Sequence, residues 1–252
     1  MKRVKNFFTA MTMAFSMFCA IPCPFHAWNE ELRGSSTLFL PVVGAFIGVI
    51  WWGVDCAVKA IGLPALVAAA VMCAYPILIT GGIHMDGYLD VTDAVKSWRD
   101  VEEKRRILKD PHVGSFAVIN CALLIMAQFA LFASVKEGAN PLSLLFIPIA
   151  SRAAGVFAVT VLRPMSHSEY AGAYKNSVKR SHIVVLLIEA AVCMGGAFAC
   201  GIRCGAAAAA VIAGYAISAF CAFRSLDGMS GDVSGYALVI GEVCGIAVYA
   251  LL

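Results

Sequence analysis

The sequence predicts an all-α fold: a polytopic integral membrane helical bundle of about seven crossings, with a re-entrant or interfacial segment at its N-terminus. Three observations carry that prediction. Hydrophobic residues make up 61% of the 252 residues and charged residues only 14%, against about 45–50% and about 25% in an ordinary soluble domain. Mean hydropathy is +0.83, more apolar surface than a soluble globule of this size can hide. Several apolar runs also reach the roughly 17–25 residues that a helix needs to cross a bilayer. Residues 1–252 read as a single integral membrane domain. A secreted disulfide scaffold, a nucleic-acid module and a disordered chain are excluded by the same arithmetic.

The elements follow in chain order. Met1 to Lys5 carries three basic residues ahead of an apolar stretch from Phe7 to about Phe25. No small-x-small cleavage pattern closes that stretch, and Pro22 and Pro24 break its far end, which argues against a signal peptide. Clearer spans follow at about Thr37–Val54, Pro64–Thr80, Ser115–Ala133, Pro141–Leu162, Ile183–Ile202, Ala206–Phe223 and Ala237–Leu252. Gly44, Gly48 and the Ala206–Ala210 run suit close helix packing. The ten Cys include six, such as Cys73 and Cys193, that sit singly in apolar runs, and Cys19/Cys23 and Cys200/Cys204 lack zinc-site spacing.

Lys and Arg set the topology. If Phe7–Phe25 crosses fully, the basic residues of Gly81–Gly114 fall outside the cell, against the positive-inside rule. If it is re-entrant or interfacial, Met1–Lys5, Gly81–Gly114, Arg163–His182 and Arg224 all face the cytoplasm, and only Lys59, Lys136 and Arg203 lie outside. The second arrangement is preferred. It opens every polar segment with chemical potential on one face of the membrane.

In Gly81–Asp93, the carboxylates Asp86, Asp90 and Asp93 stand at i, i+4 and i+7, on one face of a helix. Three like charges there repel unless a cation joins them, and an all-oxygen set suits Mg²⁺ or Mn²⁺ better than zinc. The plain alternative is a solvated acidic face. His84 is a candidate base or phosphate ligand, with a structural histidine as the alternative. In Glu102–Phe116, Lys104, Arg105 and Lys109 share a helical face that ends at Asp110 and Gly114, an arrangement for holding phosphate oxygens as well as a positive-inside anchor. Arg152 lies deep in its span and either pairs with Glu189 or Glu242 or meets a phosphate. Arg163 opens a polar loop with His167, Ser168, Glu169 and Tyr174 that is expected to cover a substrate. In Asp227–Gly235, glycines including Gly231 can turn backbone N–H groups toward phosphate, and Asp227 and Asp232 can extend a metal shell. Together these point to metal-assisted phosphoryl or nucleotidyl transfer on a diphosphate substrate.

The Pro22-Cys23-Pro24 end of the first segment, Pro41–Gly44, GGIHMDGYLDVTDA, KRRILKDPHVGSF, Ser151-Arg152 and Gly231-Asp232 resemble the cobalamin synthase family, also called adenosylcobinamide-GDP ribazoletransferase. Gly81 to Asp93 matches the family pattern Gly-Gly-x-His-x-Asp-Gly-x-x-Asp-x-x-Asp throughout, and Arg106 to Gly114 matches the later basic stretch that ends in Asp-x-x-x-Gly. Asp227 departs from the family, which carries Gly or a neutral residue there. The resemblance implies a Mg²⁺-dependent transfer in the bacterial inner membrane. The hydroxyl of α-ribazole, or of its 5′-phosphate, attacks the phosphate on cobinamide in adenosylcobinamide-GDP and expels GMP. It implies Asp86, Asp90 and Asp93 as metal ligands and His84 or Asp86 as proton acceptor. Arg105, Arg106 and Arg152, with Asp110, Gly114, Gly231 and Asp232, are the implied substrate-binding residues. A homo-oligomer is left open, and no nucleic-acid partner is implied. The competing readings are a membrane CDP-alcohol phosphotransferase, whose motif continues Asp-Gly into Ala-Arg where this chain has Tyr88-Leu89, and a transporter, for which the chain lacks an internal repeat.

Overall fold

A computed structural model describes residues 2–23, 28–165 and 180–252. Helix α1 is Lys2–Phe18. A short helix α2, Arg33–Ser36, lies between two 3-10 turns and leads into α3, Leu40–Ile61. Helices α4 (Ala65–Ile79), α5 (Ile83–Lys96), α6 (Val101–Ile107), α7 (Ser115–Ala133) and α8 (Ser143–Val161) follow, then α9 (Arg180–Ala199), α10 (Ile202–Leu226) and α11 (Gly231–Leu251). No strand occurs among the described residues. Six helical stretches are long and apolar enough to cross a membrane: Glu30–Ile61, α7, α8, Ser181–Ala199 within α9, α10 and α11. Helices α4 and α5, bent by 90° at their junction, make a seventh when the pair is counted as one broken span.

Among the span boundaries that differ from the sequence reading, such as the end of Thr37–Val54, which runs on to Ile61, two bear on the site. The expected straight span Pro64–Thr80 ends as a 15-residue helix and turns sharply into α5. Pro76 removes one ladder donor, and Gly81 and Gly82 take left-handed φ values of 63° and 79°, a conformation open to residues without a Cβ. The last span starts at Gly231 rather than Ala237, because the Ser230 side chain accepts a hydrogen bond from the Val233 N–H at 3.2 Å and caps α11. Asp232 therefore sits in the first turn of a helix instead of a flexible loop.

The N-terminal segment enters and leaves at the same end of the bundle. Helix α1 runs beside the start of α3, with the Phe7 and Phe39 rings 5.0 Å apart and those of Phe15 and Phe46 5.4 Å apart. Its far end reaches the α4–α5 break, where the Ala20 N–H donates to the Ile79 carbonyl at 2.7 Å. A broken helix at membrane depth exposes carbonyls that lipid cannot satisfy, and this contact satisfies one of them. The chain is back beside Phe7 by Phe39, which fits the re-entrant reading.

Helices α8 and α11 are the most enclosed spans. The Gly44 and Gly48 face of α3 rests directly on α8, and a Cβ on Gly44 would stand 2.5 Å from the Pro148 carbonyl oxygen. Small residues at this contact allow the dispersion-dominated packing that replaces a hydrophobic drive in lipid. The fully buried Trp51 donates its indole N–H to the Met72 carbonyl at 3.2 Å, which ties α3 to α4. Lys59, Lys136 and Arg203 bond near Asp55, Leu251 and Gly138, at the end of the bundle remote from Asp232.

Candidate functional site

Helix α5 carries Asp86, Asp90 and Asp93 along one face, as their spacing predicts. It packs tightly on α11: a Cβ on Gly87 would come within 2.9 Å of the Asp232 carbonyl oxygen, and the Tyr88 and Tyr236 rings stack at 5.6 Å. The close approach brings a fourth carboxylate, Asp232, to the trio. The negative charges of Asp86, Asp232 and Asp93 all bear on Asp90. No described Lys or Arg forms an ion pair with any of the four. Asp86 and Asp232 are exposed, while Asp90 and Asp93 are half-buried. The N-terminal dipole of α11 favours the Asp232 charge.

Beside these carboxylates a cavity of about 290 Å³ opens between α1, α3, α5, α8 and α11, with Phe18, His84, Arg152, Ser234 and Asp232 in its wall. His84 is 8% exposed and its Nε2 has no protein partner. The Phe18 ring stacks on its imidazole, with centroids 6.0 Å apart and planes 11° from parallel. Arg152, 1% exposed, pairs through Nη1 with Glu242 of α11 and donates to Ser151 Oγ at 3.0 Å, while its Nε is left without a partner. Ser151 Oγ in turn donates to Glu242 Oε1 at 2.8 Å. Glu242, of the two partners considered for Arg152, is the one it takes. A larger cleft of about 530 Å³ between α8, α9 and α10 has no carboxylate or cation in its wall and carries none of this chemistry.

The basic stretch after α5 is used differently from what its pattern predicts. Helix α6 stops at Ile107, so Lys109 lies beyond it rather than on a face shared with Lys104 and Arg105. Lys104 donates to Ser225 Oγ at 2.8 Å, and Arg105 donates to the Leu226 and Asp227 carbonyls at 2.9 and 2.8 Å. Arg105 also pairs with the Asp227 carboxylate at 3.2 Å, and so does Arg163. Asp227 therefore anchors the end of α10 to two arginines. Its left-handed φ of 53° ends the helix. Arg106 pairs with Glu103 at 2.6 Å and is 79% exposed. Asp110 accepts from the His112 backbone N–H at 2.9 Å and contacts its ring at 2.7 Å, which holds the Asp110 carboxyl below the usual carboxylate range. Gly114 brings its bare Cα against the Asp93 carboxylate. Gly231 and Asp232 join the site through the first turn of α11. His167, Ser168, Glu169 and Tyr174 lie outside the described residues.

Sequence reasoning missed Phe18, which looks like one more apolar residue of a leader-like stretch. Ser234 was equally silent: it bonds with the Tyr215 hydroxyl at 2.9 Å and lines the cavity. Among the described residues no group of three His, Cys, Asp or Glu side chains closes into a metal-binding cage by itself. Mg²⁺ keeps several waters and is usually held by one or two carboxylates together with substrate phosphates. An open, uncompensated row of carboxylate oxygens fits that mode of binding.

Comparison with known proteins adds to this geometry. Residues 10–250 match the family model described as cobalamin-5-phosphate synthase. The adenosylcobinamide-GDP ribazoletransferase of Clostridium perfringens strain 13 is 34% identical over 251 residues, covering 99% of this chain and 100% of that protein. Proteins with the same name from Clostridium botulinum strain Alaska E43 and Pseudomonas fluorescens Pf0-1 are 33% and 30% identical, covering 96% and 88% of this chain and 97% and 90% of their own lengths. No solved structure matches the chain. With a family model spanning nearly its whole length and relatives of 30% identity or more covering almost all of it, the chain belongs to the cobalamin-5-phosphate synthase family.

Proposed function

We propose that the protein transfers the cobinamide-phosphate moiety of adenosylcobinamide-GDP to α-ribazole, or to its 5′-phosphate, and releases GMP with adenosylcobalamin or its 5′-phosphate. The observation that carries this reading is the meeting of Asp86, Asp90 and Asp93 with Asp232 beside a cavity, in a chain whose relatives bear that enzyme name over their full length. Neither a CDP-alcohol phosphotransferase nor a transporter finds support among those relatives.

In this reading Asp86, Asp90 and Asp93 hold Mg²⁺, and Asp232 extends their reach. When bound, the ion neutralises diphosphate charge and orients the phosphate for in-line attack. The protein's own groups do the rest. His84 or Asp86 accepts the proton of the attacking hydroxyl. Arg106 is the arginine with most freedom to meet the diphosphate, since Arg105 bonds to the end of α10 and Arg152 to Glu242. Gly114 and Asp110 shape the entrance to α7 beside Asp93. The phosphate is passed from one oxygen to another, so catalysis is chiefly positioning and charge stabilisation.

The site faces the cytoplasm of a bacterial inner membrane in this account. The support is charge: Lys96, Arg99, Lys104, Arg105, Arg106, Lys109, Arg163 and Arg224 lie at its end of the bundle, while Lys59, Lys136 and Arg203 lie at the other. The test of function is incubation of detergent-purified protein with both substrates, following GMP and corrinoid product. Equimolar GMP and cobalamin is the expected result, and a folded protein that forms neither would overturn the reading.

A further inference from the structure

The cavity beside the carboxylates has a shape and a wall that the diphosphate chemistry leaves unused. At about 290 Å³ it lies at the lower end of the roughly 300–1,000 Å³ typical of small-molecule sites. A corrinoid macrocycle with its side chains does not fit that volume, whereas a nucleoside does. Most of the wall is apolar, with Met17 and Phe18 from the re-entrant α1 on one side and Val159 from α8 in the same wall. Its polar residues are few: Asp232 belongs to the carboxylate group, Arg152 is paired with Glu242, Ser234 bonds to the Tyr215 hydroxyl, and Thr37 and His84 complete the set.

We propose that this cavity receives the planar heterocyclic base of the nucleoside acceptor and leaves the corrinoid and the guanine nucleotide outside. The inference rests on the transferase reading given above and names the subsite within it. The base of α-ribazole is an apolar bicyclic ring with a single in-plane nitrogen acceptor. It matches a wall that is mostly apolar, built from Met17, Phe18, Val156, Val159 and Leu238. Guanine, with several donors and acceptors on its edges, would lose hydration against Met17, Phe18 and Val159 without replacement bonds. With the base inside, the ribose lies toward Asp232 and the row of carboxylates, where its hydroxyl is needed. The re-entrant helix is then a specificity wall, and Phe18, already stacked on His84, is its principal residue.

The test is equilibrium binding to the full-length protein in detergent with Mg²⁺ present, each substrate titrated alone so that no turnover occurs. Phe18→Ala, which removes the aromatic wall, and Val159→Phe, which fills the cavity, are each expected to weaken α-ribazole binding at least tenfold. Adenosylcobinamide-GDP binding should stay within twofold of wild type, and Phe18→Tyr should bind α-ribazole normally. Unchanged α-ribazole affinity in both Phe18→Ala and Val159→Phe overturns the proposal. Wild-type protein supplies a second measurement that does not depend on a variant folding. A photoreactive azido-benzimidazole riboside should label peptides containing Phe18 or His84, with α-ribazole competing. Labelling confined to other helices, such as the lipid-facing surface of α9, overturns the proposal as well. Turnover by wild type with label elsewhere would refute the subsite alone. Label in the cavity without GMP release would refute the transferase reading and keep a nucleoside site.

Discussion

The carboxylate of Asp93 is packed against the bare Cα of Gly114, so closely that a Cβ at position 114 would overlap both of its oxygens. These residues lie 21 positions apart, one near the end of α5 and the other at the entrance to α7. The contact explains why a glycine closes the basic stretch: its φ of −83° is open to any residue, so what the position requires is space.

Gly114→Ala therefore pushes the Asp93 side chain aside without disturbing a helix. Turnover should fall on the order of 100-fold, the cost of displacing a positioning group by about 1 Å. The thermal unfolding midpoint should stay within a few degrees of wild type. Steady-state GMP release and a thermal melt on the same preparation check both halves.

Asp86→Asn is expected to abolish turnover while leaving membrane insertion and folding intact, since Asp86 is exposed and makes no ion pair among the described residues. Asp86→Asn combined with Asp90→Asn should be little worse than either alone, because groups that act as a unit lose their function together. Wild-type kcat in Asp86→Asn would remove this residue from the site.

Asp227→Asn separates the two aspartates of the Asp227–Gly235 stretch. Asn tolerates the left-handed φ of 53° that Asp227 adopts, and the lost partners are Arg105 and the largely exposed Arg163. The expected outcome is a stability loss of at most about 1 kcal/mol, as for exposed ion pairs, with activity retained within a few-fold. Asp232→Asn should instead lower kcat by at least tenfold. Parallel kinetics on the two variants decide the assignment.

Glu242→Gln leaves Arg152 charged and uncompensated in the bundle interior, where breaking a buried pair costs about 3–5 kcal/mol. Replacing both, as Arg152→Met with Glu242→Leu, should recover most of that stability and isolate any effect on turnover. Denaturation in mild detergent, monitored by the buried Trp51, supplies the readout.

The spans were legible because lipid demands long contiguous apolar runs, and hydropathy finds them without knowing their neighbours. The trio Asp86, Asp90 and Asp93 was legible because helical periodicity alone places i, i+4 and i+7 together. Asp232 was named from its glycine-rich stretch and from the resemblance, but the tertiary contact that seats it beside the trio, Gly87 against its backbone, is encoded by no local pattern. Arg105 and Asp227 show the same limit in reverse. Their charges suggested phosphate and metal, but the fold brings them to each other across 122 positions. The bend at Gly81-Gly82 was visible as two glycines, yet neither its 90° angle nor the Ala20 bond to the Ile79 carbonyl beside it is written in the local pattern. Phe18 had no signal at all, since its role exists only once α1 folds back beside His84.

The central claim is that the carboxylates of α5 hold the divalent ion that carries the substrate diphosphate. The most direct measurement is Mn²⁺ binding, followed by electron paramagnetic resonance, to wild type and to Asp86→Asn with adenosylcobinamide-GDP present. The account predicts tight binding to wild type that Mg²⁺ competes away and that Asp86→Asn lowers at least tenfold. Equal Mn²⁺ binding by both proteins would contradict it.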